Sequence, residues 1–161
     1  MFVERLPQSG ILAYIQAMQP LHERLRQILT QVAGYSLLVM TRGKRLAFLD
    51  SPVTSAREAL AMARDGIDRL QVPAAARHHH HHITAASEAI AQALDLLLAC
   101  LRPSADDPAR ADLTRMLRIA TDHLRATTRL LPGFVMVDLS QACCAAHASQ
   151  ASMLICQTVE G

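Results

Sequence analysis

Tryptophan is missing from this chain, and aromatics as a whole make up 3% of its 161 residues. With few rings to stack bases, and no block of lysine or arginine, the pattern does not fit a single-strand nucleic-acid platform. A formal net charge of +2 with neutral histidines is too close to balance to imply a polyanionic partner. The β-branched and aromatic residues that favour sheets are sparse. Alanine, leucine and methionine must therefore build the core, and they are good helix formers. A hydrophobic fraction of 51% excludes a disordered chain. The length suffices to bury one core without disulfide or metal staples. An all-α protein is expected.

Other absences narrow the chemistry. There is no glycine-rich phosphate loop, no dinucleotide fingerprint and no serine nucleophile elbow. Glutamates number five, and none begins the Glu-x-x-His pair of carboxylate-bridged di-iron bundles. The cysteines, Cys100, Cys143, Cys144 and Cys156, are too few and too unevenly placed for a disulfide framework. The opening "MFVERLPQSG" lacks the basic-then-apolar order of a signal peptide. No uninterrupted apolar run reaches the roughly 18 residues of a transmembrane span. A soluble cytoplasmic protein is the expectation, with neither membrane nor nucleic acid as partner.

Helical periodicity then organises the chain. Leu21, Leu25, Ile28, Val32, Tyr35 and Val39 alternate steps of three and four within a segment from about 10 to 41. Pro20 should start or kink that helix. The stripe passes Gly34 in phase, which favours helix there, with a hairpin of "YSLLVM" and "RLAFLD" as the rival. Asp50 or Ser51 is placed to cap a second helix bearing Leu60, Ala63, Ile67 and Leu70, which stops by Pro73. A third carries Ile83, Ala86, Ile90, Ala93, Leu94, Leu97 and Leu101. A fourth carries Leu113, Leu117, Ala120, Leu124 and Leu131, and a last one is expected from 138 to about 157. Short connections make neighbours antiparallel, so the predicted fold is one domain over 1–161. It is an up-and-down antiparallel bundle of four or five helices.

Against that frame stands "RHHHHHITAASE", with five consecutive histidines from His78 to His82. At about 100° per residue the rings diverge. His79 falls on the stripe with Ile83, Ala86 and Ile90, while His80 and His82 flank it. His81 and His78 point elsewhere. His78 and His82, spaced i and i+4, can hold one transition metal from one helix face. Two neutral imidazoles bind weakly without further ligands. His123 is predicted about one turn from His82, and His22 is a second contributor to consider. The alternative is a solvent-facing, titratable first turn. Positive charge is unfavourable at a helix N-terminus, so the rings should stay largely neutral at pH 7 and the helix start should loosen in acid.

"LSQACCAAHASQ" is a second constellation, placing Cys143 and Cys144 four and three residues before His147. It reads as tight helix packing by small residues, as zinc ligation, or as a reactive thiol. The candidate metal residues are thus His78, His82, His123, Cys143 and His147. No cofactor is required by the sequence, and zinc, nickel, iron or copper is the class that would fit. On the fourth helix, Arg115, Arg118, Asp122, Arg125 and Arg129 form a charged stripe, with Asp122 able to pair with Arg118 or Arg125.

The leading expectation is a non-enzymatic helical-bundle protein acting in protein–protein interaction or self-association, as a homo-oligomer or with a protein partner. A transition-metal- or cofactor-binding bundle comes next, and a thiol-dependent enzyme third.

Overall fold

The computed structural model describes residues 7–42, 49–102 and 107–136. These form four α-helices and a short 3-10 turn: α1 (Pro7–Arg42), α2 (Asp50–Asp68), the turn Ala74–Ala76, α3 (Arg77–Cys100) and α4 (Asp107–Leu130). The expected all-α bundle is what is found. The fifth helix expected from 138 lies outside the described residues, as do Cys143, Cys144 and His147.

Side-chain contacts fix the helix directions. Leu21 of α1 packs at Gly66 near the end of α2, and Arg57 early in α2 pairs with Asp95 late in α3. His82 at the start of α3 meets His123 near the end of α4. Each sequential pair is therefore antiparallel, and Tyr14 on α1 meets His79 on α3 at one shared end. The core runs the length of the bundle through Met18, Leu25, Ile28, Val32, Leu60, Ile67, Ile83, Ile90, Leu94, Leu97, Leu113 and Leu124.

The helix through "YSLLVM" continues to Arg42, so those residues do not form the rival hairpin's first strand. Pro20 lies inside α1, and the helix spans it without ending. The expected cap of α2 is corrected: Leu49 holds the cap position without a side-chain bond, and Asp50 sits in the first turn. There its charge still faces the positive end of the helix dipole.

α3 occupies the centre, packing on all three other helices and most extensively on α4. Its apolar content corrects the expectation drawn from uninterrupted runs. With the preceding turn, Ala74–Cys100 is long and apolar enough, by length and composition, to cross a membrane. In the bundle that apolar surface meets other helices, and Asp95 is in an ion pair with Arg57.

After α4 the chain turns at Leu131–Gly133 and folds Phe134 back under the helix ends. Gly133 has φ of 89°, in the region that favours glycine, and its carbonyl accepts a bond from Gln19 Nε2 at 3.2 Å. A Cβ there would also clash with that nitrogen. Gly133→Ala is expected to cost about 1–2 kcal/mol, the penalty of a left-handed residue carrying a Cβ. Urea unfolding at pH 7 measures it.

Candidate functional site

Every described histidine lies at one end of the bundle. His22 comes from the first half of α1, His78 to His82 from the first turns of α3, and His123 from the last turns of α4. The five rings of the run separate as helical geometry requires. His79 is 1% exposed, His80 and His82 are half-buried, and His78 and His81 face solvent.

The inner part of this end is a packed polar cluster. Tyr14 Oη lies 3.0 Å from His79 Nδ1, with the rings edge to face. Burial pushes the Tyr14 phenol up, so it remains protonated. His79 Nε2 is buried and has no hydrogen-bond partner among the described residues. A second proton on this ring would place an unmatched N–H and a charge in the interior. Burial, reinforced by repulsion from His22, His80 and His82 in their charged forms, therefore lowers the His79 pKa to about 4.

His22 lies in the same layer. Its Nε2 is 3.1 Å from Thr127 Oγ1, whose hydroxyl donates to the Leu124 carbonyl at 2.6 Å. With that hydrogen committed, the threonine oxygen accepts from His22, which assigns the proton to Nε2. Burial, then the nearby Arg26 guanidinium, hold the His22 pKa below its ordinary value. Phe134 closes the layer, its ring centroid 4.3 Å from that of His79 and 5.2 Å from that of His22.

The outer part is different. His82 Nδ1 and His123 Nδ1 are 2.8 Å apart, joining α3 to α4 through a part-buried contact. At that separation one ring donates its Nδ1–H and the other accepts with its Nδ1 lone pair, so the two carry opposite tautomers. The His78 ring stands edge-on to His82 at a centroid distance of 4.8 Å, and His81 flanks the pair at 5.7 Å from His82 and 6.5 Å from His123. Burial, followed by mutual repulsion with His123, His78 and His81, lowers the His82 pKa. Neutral imidazole is the form that ligates metals.

The structure thus brings His78, His82 and His123 to one surface. His123 arrives closer than the one-turn offset expected from the sequence. His22 goes elsewhere, into the buried layer with Thr127, where it does not serve the outer pair. Sequence reasoning missed Thr127 and Phe134 as its neighbours, and Tyr14 as the partner of His79. The signals were present: His22 lies four residues after Met18 and three before Leu25, and Thr127 sits between Leu124 and Leu131 on the α4 stripe. Cys100 is buried at the far end of α3, about 27 Å along the helix from His82, beyond reach of this site. Among the described residues no three His, Cys, Asp or Glu side chains converge in a way that could hold a metal ion. Among the described residues, the ion pair within α4 is Arg115 with Asp112, in place of either expected pair through Asp122.

No protein-family model matches this chain, and comparison with curated proteins and with solved structures finds no match to it.

Proposed function

We propose that the protein is a non-enzymatic helical bundle that binds a transition-metal ion through His82 and His123. The observation that carries this reading is the 2.8 Å approach of two imidazole Nδ1 atoms from different helices at a part-exposed position. A cation with nitrogen bonds of about 2.0–2.1 Å needs two tetrahedral ligands roughly 3.3 Å apart. Opening the pair by about half an ångström, with the rings turned so that both lone pairs aim at one point off the N···N line, meets that requirement. The ring holding its proton on Nδ1 would transfer it to Nε2 through solvent, leaving two neutral lone pairs facing one ion. Imidazole donors suit zinc, copper and nickel.

An apolar docking face has weaker support. The most exposed large apolar side chains include Leu12, Leu37, Met62 and Val135, spread over α1, α2 and the segment after α4. Leu12 and Leu37 alone are about 37 Å apart along α1. A contact between proteins through the histidine end is compatible with the bundle.

Protein purified without metal-chelate resin, then titrated with zinc against a chromophoric chelator, tests the reading. The expected result is saturable binding that His123→Ala weakens about tenfold or more, the scale of losing a tuned ligand environment. Equal binding by the wild-type chain and by His82→Ala and His123→Ala chains would remove the site.

A further inference from the structure

We infer that two copies of this chain share one transition-metal ion, each supplying His82 and His123 to a four-imidazole site. This rests on the metal-binding reading above and extends it to the partner.

His82 and His123 are already paired across α3 and α4, which is half of a tetrahedral zinc set. The described His, Cys, Asp and Glu residues of the same chain do not complete it. His78 is the nearest addition, but its ring meets His82 edge-on with the two planes at 75°, as a ring contact.

The pair is part-buried, neither closed in the core nor standing free, and its exposed flank carries His78 and His81. Among the described residues His78 and His81 leave that flank exposed, whereas the inner imidazoles His22 and His79 are buried against Phe134. A twofold axis through the ion doubles two ligands into four with one operation, and an isologous contact of this kind closes on itself as a dimer.

The test uses the full chain stripped with chelator, zinc chloride as the probe, and sedimentation velocity alongside zinc stoichiometry. The expected result is a doubling of mass that saturates at one ion per two chains and reverses with chelator. His82→Gln and His123→Gln should each abolish both the doubling and the binding, with circular dichroism checking that helix content is kept. His78→Gln should leave the doubling in place. One ion per chain with no change in mass overturns the shared site while leaving the metal-binding reading intact. No zinc binding at all removes both. Doubling that survives His82→Gln and His123→Gln also overturns the inference, since the ligands would then be other residues. If the stripped chain is already paired, stoichiometry decides: one ion per two chains, lost in both variants, supports it, and one ion per chain overturns it.

Discussion

Taking the metal-free chain from pH 7 to pH 4 is expected to lower its unfolding free energy by about 3 kcal/mol through His79 alone. The sign follows from which state binds the proton. The unfolded chain has an ordinary histidine near 6.5, whereas the folded ring has its pKa lowered to about 4. Between those values the unfolded chain takes up a proton that the folded chain does not, so acid favours unfolding. The stabilisation is complete above about pH 6.5, falls as pH drops, and levels near pH 4 when the folded ring protonates. The fall from 6.5 to about 4, at about 1.4 kcal/mol for each tenfold change in proton affinity, sets the magnitude. The groups around the ring are Tyr14 and His22 on α1 and His80 and His82 on α3, with Asp68 of α2 acting on His80. Of these, His22, His80 and His82 have lowered pKa values and act in the same direction. Urea unfolding at a series of pH values measures the slope. His79→Leu should remove most of the part due to His79, and an unchanged slope in that variant would assign the acid sensitivity to other groups.

Phe134→Ala is the second large effect. The side chain is 3% exposed and rests on both buried imidazoles. Its removal is expected to cost about 3–5 kcal/mol at pH 7, the range for deleting a buried phenylalanine. The more informative consequence is coupling. Without that ring, water reaches His79, the burial that depresses its pKa weakens, and less stability remains to be lost in acid. The Phe134→Ala and His79→Leu effects should therefore be non-additive at pH 7 and the variant's pH slope shallower than wild type. A parallel slope would mean that Phe134 contributes packing alone.

Much of this architecture was legible because α3 and α4 obey strong periodicity. Ile83, Ala86, Ile90, Leu94 and Leu97 are all buried, and angular separation sorted the histidine run into inward, flanking and outward rings. The stripe on α1 was less well read. Leu21 and Tyr35 are only partly buried, while the neighbouring Met18, His22 and Ser36 take the interior. A polar residue on an apolar face is hard to place from sequence, since its burial depends on a partner elsewhere. Here those partners are Thr127 for His22 and Tyr14 for His79, separated by 105 and 65 residues. The same limit applies to the candidate site. Spacing identified His78 and His82 as a local pair, but the distance from His82 to His123 depends on the register of α3 against α4. That register is set by core packing along the two helices, a property no local motif reports.

The most direct measurement is zinc X-ray absorption on the full chain loaded at one ion per two chains. Nitrogen ligands near 2.0 Å with the outer-shell scattering of imidazole rings are expected. That ring scattering should disappear in the His82→Gln and His123→Gln chains. A spectrum dominated by oxygen or sulfur ligands, or one unchanged by both substitutions, would contradict it.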